Sequence, residues 1–163
     1  MNEMDRKILE LLENDGRLRA EQIATMLGLE EAEVAAKIRA LEESKTIVKY
    51  HTLINWEKAG DEKVSALIEV KVTPQRGAGF ETVAERIYRF PEVKSLSLMS
   101  GAYDIAVMLE GQTMKEVALF VATKLATIED VQSTATHFVL KNYKQQGVIM
   151  EDNEEDKRLV ISP

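Results

Sequence analysis

The stretch GLEEAEVAAKIRALEESKTIV, residues 28–48, decides how the first third of the chain is read. Val34, Ile38 and Leu41 recur at i, i+4 and i+7, the stripe of a helix with one buried face. The shorter pattern AEQIATMLG, residues 20–28, stands just before it and places Ile23, Met26 and Leu27 on one side. Two short helices joined by a tight glycine-containing turn predict a helix-turn-helix. Its second helix carries Glu30, Glu31 and Glu33 at the N-terminal end, where a recognition helix meets base edges. Those carboxylates favour the helix dipole and oppose phosphate, so the layout and the charge point in different directions.

Working outward, MNEMDRKILELL gives a first helix with Met4, Ile8, Leu11 and Leu12 on one face. NDGR, residues 14–17, stops it, with Gly16 suited to a left-handed cap. On the other side TIVKYHTLIN, residues 46–55, alternates apolar and polar residues and predicts a strand or small wing. NWEKAGDEK, residues 55–63, is polar, contains Gly60 and reads as a linker, with Trp56 expected to pack between domains.

Beyond residue 63 the period changes. VSALIEVKVTP, residues 64–74, alternates and is rich in branched residues, a strand. GFETVAERIYRF sets Phe80, Val83, Ile87 and Phe90 at helical spacing and stops at Pro91. VKSLSLMSG is read as cleanly alternating, with Val93, Ser95, Ser97 and Met99 on one face and Lys94, Leu96 and Leu98 on the other. AYDIAVMLEG predicts a strand, TMKEVALFVATKLATI a helix and VQSTATHFVLKNYK a last strand. The order β-α-β-β-α-β packs as a four-stranded antiparallel sheet with two helices on one face, a ferredoxin-like sandwich. The fold expected is therefore α+β: a winged helix-turn-helix over residues 1–54, a linker over 55–63 and the ferredoxin-like domain over 64–147. Residues 148–163 form an acidic tail, in which Leu159 to Ile161 offer a further edge strand.

Charge narrows the functions. The net charge is −7, and residues 1–50 hold eight Lys and Arg against eleven Asp and Glu. Non-specific DNA affinity needs clustered cations, so any nucleic-acid surface must be made by placing a few of them well. The absence of cysteine removes disulfides and thiolate chemistry and fits a cytoplasmic protein. No run approaches a membrane span, and the acidic N-terminus lacks the plan of a signal peptide. With His51 and His137 far from any His/carboxylate cluster, no metal site is expected. No phosphate-cradling loop or nucleophile signature is present, so neither a cofactor nor a catalytic residue is assigned. An enzyme on this frame would have only Asp104 near polar hydroxyls to work with.

MDRKILELLENDGR at the start, IRALEESKTI closing the third helix, SGAYD at residues 100–104 and TATHFVLKNYK near the end stand in order, with matching lengths between them. Over about residues 3–147 the chain resembles the Lrp/AsnC, or feast/famine, family of transcriptional regulators. The resemblance implies an N-terminal unit that binds double-stranded DNA and a C-terminal RAM domain that forms dimers and higher assemblies, up to an octamer. It also implies an amino acid as a small-molecule effector, held between subunits.

For DNA, the outward face of the third helix offers Ala32 and Ala36 to thymine methyls and Arg39 to a phosphate or guanine. Arg17, Arg19, Lys37, Lys45, Lys49 and His51 surround it; singly each is a solvated surface charge, and as a set they are candidate phosphate contacts. The family usually places a small polar capping residue after the Gly-Leu step, and here Glu30 stands instead. The expectation is a weak reading head rescued by several copies sharing one DNA. For the effector, Gly101 is expected to allow unusual backbone angles and expose loop amides, with Asp104 pairing to an α-ammonium. The resemblance carries Gly101, Ala102, Tyr103, Asp104, Thr134 and Thr136 into the effector site, with Met99 as a wall; the plain alternative is a tight hairpin capped by Asp104. A ligand-sensing interaction protein of the same fold that has lost DNA binding is the alternative function.

Overall fold

The computed structural model describes residues 1–61, 63–73 and 79–151. Two compact units divide between Ile54 and Asn55.

The first unit is three helices, α1 (Glu3–Asn14), α2 (Ala20–Leu27) and α3 (Glu31–Glu43). Ile8 and Leu12 of α1, Ile23 and Ala24 of α2, and Val34 and Leu41 of α3 form its core, with Ile38 and Ile47 packed against it. Gly28 ends α2 at φ 67°, the left-handed backbone that glycine adopts without strain. Glu30 caps α3 with no side-chain hydrogen bond, so the carboxylate gives α3 only its charge at the positive end of the dipole.

The structure departs from three of these expectations. Gly16 is not a left-handed cap: α1 ends on an extended Asp15 whose N–H donates to Leu11 O at 2.9 Å. Met26 is 58% exposed, because α2 buries Ile23 with Ala24 rather than with Met26. No strand forms over residues 46–55, so there is no wing. A strand needs a ladder partner, and the three-helix unit offers none. Ile47 instead folds onto the core, its N–H donating to Leu41 O, and the Tyr50 hydroxyl donates to Glu42 at 2.9 Å.

The second unit opens with a one-turn helix, α4 (Trp56–Ala59), inside the segment read as linker, capped by the Asn55 side chain and ended by a left-handed Gly60. Trp56 is half exposed, with the Lys63 ammonium 4.7 Å from its ring centroid. Then follow β1 (Val64–Val72), α5 (Glu81–Tyr88), β2 (Val93–Leu98), β3 (Ile105–Gly111), α6 (Met114–Phe120) and β4 (Val131–Phe138). The strands form one antiparallel sheet in the order β2-β3-β1-β4. Strand period decides its two faces. Ala66, Ile68, Val70 and Val72 of β1 and Ile105, Val107 and Leu109 of β3 are buried against Val83 and Ile87 of α5 and Val117 and Phe120 of α6. Ser65, Leu67, Glu69 and Lys71 therefore look the other way, onto the face opposite α5 and α6.

α6 continues into a wider π turn, Val121–Leu125, closed by Ala126 N–H donating to Val121 O at 2.8 Å. That turn carries Val121 and Leu125 into the core. β2 does not alternate cleanly. Its pairing to β3 slips between Val93 and Ser95, so Val93 opposite Leu109 and Leu96 opposite Val107 share the helix-covered face. An extra residue in a strand has this effect, and Lys94 absorbs it. β4 ends at Phe138, short of the strand expected through residue 144. The chain then makes a two-stranded hairpin, β5 (Lys144–Gln145) and β6 (Val148–Ile149), turning on Gln146 and Gly147 at φ 47° and 83°. The edge strand expected at residues 159–161 and most of the acidic tail lie outside the described residues, as does Pro74.

Candidate functional sites

In the three-helix unit, Ala32, Ala36, Arg39 and Ala40 are exposed on α3, as the helical stripe required. Arg19, Lys45 and Lys49 are exposed too, and none of these three nor Arg39 makes an ion pair among the described residues. Arg19 borders a shallow depression shared with Glu21, Gln22, Thr25 and Met26 of α2. His51 is exposed as well.

Two of the candidate cations already have anionic partners. Arg17 Nε lies 3.3 Å from Asp15 Oδ1, and the Asp15 carboxyl is held below its usual range, first by the Arg17 backbone N–H and then by the guanidinium. This pair is open to water and cheaply broken. Lys37 is different. Its ammonium sits 3.0 Å from Asp5 Oδ1, with side chains only 21% and 18% exposed. The Asn2 backbone N–H, followed by the Lys37 ammonium, lowers the Asp5 pKa. No local pattern marks this contact, since the two residues lie thirty-two positions apart.

Lys45 follows the α3 cap at φ 59°, left-handed backbone for a residue with a Cβ. Its N–H donates to Glu42 O at 3.1 Å while Ile47 N–H donates to Leu41 O at 3.0 Å, closing the helix end.

In the sheet unit, residues 99–104 join β2 to β3. Met99 N–H donates to Asp104 O at 2.7 Å and Asp104 N–H to Val70 O at 3.1 Å. Asp104 Oδ2 accepts the Val72 N–H at 2.9 Å, so one oxygen of the candidate ammonium ligand caps the end of β1. Between these ties Gly101 and Ala102 are exposed and Tyr103 is half-buried. Gly101 lacks a positive φ, and a Cβ on it would meet nothing within 4 Å, which corrects the expectation of unusual backbone there.

Thr134 and Thr136 share one face of β4, opposite Val70 and Ile68, and are half-buried on the helix side. β1 thus runs between them and the loop: Val70 pairs with Ile105 on one edge and Thr134 on the other. Two strand spacings separate the loop from the threonines, about 10 Å. The seven candidate effector residues therefore form two groups, Met99 to Asp104 and the threonine pair, more widely separated than one amino acid bridges. His137 lies on the sheet face opposite the helices, 3.3 Å from Glu69.

Among the described residues no three His, Cys, Asp or Glu side chains cluster to hold a metal, and no helix is long and apolar enough to cross a membrane.

Comparison with known proteins bears on both units. A model of the AsnC-type helix-turn-helix domain matches residues 1–42, and one of the Lrp/AsnC ligand binding domain matches residues 65–149. The chain is 49% identical over 164 residues to the HTH-type transcriptional regulator YugG of Bacillus subtilis, covering all of this chain and 99% of that protein. Among solved structures it is similar to the complex of the transcriptional regulator NMB0573 with L-Met from Neisseria meningitidis. That match has a TM-score of 0.73 and 26% identity, over 89% of this chain and 93% of the other. Escherichia coli AsnC shares the fold at a TM-score of 0.71 and 19% identity, over 93% and 99% of the two chains. With a three-helix reading head, a β-α-β-β-α-β sheet unit and both family models matched in order, the chain belongs to the Lrp/AsnC family of DNA-binding transcriptional regulators.

Proposed function

We propose that this regulator reads its operator through α3, and that an amino acid bound beside residues 99–104 biases its assembly or its grip on DNA. On this reading Ala32, Ala36 and Arg39 meet bases, while Arg17, Arg19, Lys45 and Lys49 hold phosphates from around them. Lys37 leaves the set of phosphate ligands, because it is already paired to Asp5. The Glu30, Glu31 and Glu33 carboxylates keep each head weak, and linked copies restore affinity through effective concentration.

The observation that carries the effector reading is Asp104, anchored on β1 by its own N–H and carboxylate beside the exposed backbone of Gly101 and Ala102. An anchored carboxylate next to open amides suits a ligand with an ammonium at one end and a carboxylate at the other. Thr134 and Thr136 stand about 10 Å away across β1. A second copy therefore completes the pocket on one or both sides, and the effector acts by favouring the assembly in which it is clasped. The crystallised complex of NMB0573 with L-Met supports an amino acid as the ligand class. Self-association is served by the sheet face opposite α5 and α6, where Leu67, Ala106, Met108 and Ala135 lie among Ser95, Ser97 and the Glu69–His137 pair. Assembly proceeds from a homodimer to a larger ring, an octamer in the fullest form. The protein acts in the cytoplasm and works without a cofactor other than this effector.

The test is a thermal-shift screen of the common amino acids on the full chain, followed by light scattering with each one that shifts the melt. A ligand that raises the melt and changes the particle mass supports the reading. If no amino acid does either, the regulator answers to another signal.

A further inference from the structure

We propose that Asp5 and Lys37 form a clamp that sets α3 for base reading, so that Lys37 acts on DNA only through Asp5. The proposal rests on the DNA-binding function of the head and adds a positioning pair to it.

The packing explains why such a pair is needed. α3 is held to the core by Val34 and Leu41, with Ile38 beside them. Apolar contacts of this kind are non-directional, and a three-helix unit has few of them. They fix which face of α3 is buried and leave small rotations and slides weakly opposed. Lys37 lies at the margin between that buried stripe and the outward row of Ala36 and Ala40. A directional bond there restrains both motions at the point where they would misplace the reading face.

Asp5 is built to be that bond's fixed end. Its Oδ2 accepts the Asn2 N–H at 2.9 Å, and its own N–H donates to Asn2 Oδ1 at 2.8 Å, the reciprocal pair that starts α1. Oδ1 is left for Lys37 at 3.0 Å. One carboxylate therefore ties the start of α1 to the middle of α3. It does so with both side chains about four-fifths shielded, where water and salt compete least. A phosphate seeking Lys37 would have to displace a carboxylate that is already held in place. Arg19, Arg39, Lys45 and Lys49 present no such obstacle.

The experiment uses the full chain and two duplexes: one selected from a random pool by the wild-type protein, and one of the same length with scrambled sequence. Asp5→Asn, Lys37→Met and the double variant are titrated against both across a salt series, at a temperature where circular dichroism shows them folded. The clamp predicts that each single change weakens the selected duplex about tenfold and leaves the scrambled one unchanged. The dependence of log affinity on log salt stays at its wild-type slope, and the double variant is no worse than either single. If Lys37→Met instead lowers the slope by about 1 and weakens both duplexes while Asp5→Asn binds as wild type, Lys37 is a phosphate ligand and the clamp is wrong. Wild-type binding in both singles also overturns it. Should those variants not fold, Asp5→Glu keeps the ion pair but shifts it by one methylene; it must lower the ratio of selected to scrambled affinity at least about threefold, and an unchanged ratio refutes the clamp. Failure of the wild type to select any sequence would defeat the DNA reading itself, and the clamp with it.

Discussion

Asp104 and Val72 are joined by a 2.9 Å hydrogen bond from the Val72 backbone N–H to Asp104 Oδ2, across the end of the sheet. Asp104 N–H in turn donates to Val70 O, so the residue just before β3 is fastened to β1 twice. Its carboxylate therefore has a structural task independent of any ligand, and substitutions must separate the two. Asparagine keeps an oxygen acceptor and discards the charge. Asp104→Asn should unfold within about 0.5 kcal/mol of wild type, whereas Asp104→Ala, which orphans a half-buried N–H, should lose about 1–2 kcal/mol. Both should lose the amino-acid response if the charge recognises an ammonium. Urea unfolding with a thermal-shift titration reads the two effects; a full response in Asp104→Asn would confine the residue to capping.

Lys45 occupies left-handed backbone at φ 59°, where glycine rests without a Cβ clash. Lys45→Gly should therefore stabilise the head by about 1 kcal/mol, read as a higher denaturation midpoint. The same change removes a candidate phosphate contact. DNA affinity should fall and its salt slope should shrink by about 1. Increased stability with unaltered slope would mean that the cation contributes nothing at the duplex.

These two residues mark how far the sequence could be read. Period gave the helices and the faces of β1, since burial of Ala66, Ile68, Val70 and Val72 follows directly from alternation. It failed at β2, where one extra residue at Lys94 put Val93 and Leu96 on the same face, because a bulge has no reliable signature in a short run. The wing failed for another reason: Val48 and Tyr50 alternate as a strand would, but pairing depends on a partner edge that lies outside any local pattern. At the sites, exposure of Ala32, Ala36 and Arg39 was legible from the helix stripe. The Asp5–Lys37 contact was not, being a product of how α1 crosses α3. The Gln146–Gly147 hairpin did carry a signal, since both positions require positive φ and glycine supplies one of them.

Two glycines should answer differently to the same substitution. Gly101 has open space around the missing Cβ and no positive φ, so Gly101→Ala should alter stability by no more than about 0.5–1 kcal/mol, in the stabilising direction. Gly28 sits at φ 67°, and although its Cβ would also meet nothing, Gly28→Ala should cost about 1–2 kcal/mol from backbone strain alone. Chemical denaturation of the two variants makes the comparison. If Gly101→Ala is folded and unchanged in stability yet loses the amino-acid response, the loop backbone at that position is a ligand contact.

The last expectation concerns acid. Glu92 Oε1 is 2.8 Å from the Lys124 ammonium, which also lies 5.3 Å and 5.0 Å from the ring centroids of Phe90 and Phe120. Those rings meet edge to face at 5.2 Å, so the pair is set into the rim of the sheet core. The hydrogen bond from Lys124 is the main reason that the Glu92 pKa lies below its usual value. A depressed carboxylate contributes stability that is fully present above the unfolded pKa, about 4.3, and disappears as pH falls through the lower folded value. Lys124→Met keeps much of the apolar stem against Phe90 and Phe120 but removes the ammonium. Unfolding curves from pH 7 down through the carboxylate range should show wild type and variant differing at neutral pH, with the difference shrinking as pH falls through the lowered Glu92 pKa. A difference that stays constant across that range would assign the loss to packing on the aromatic rings and remove the ion pair from the account.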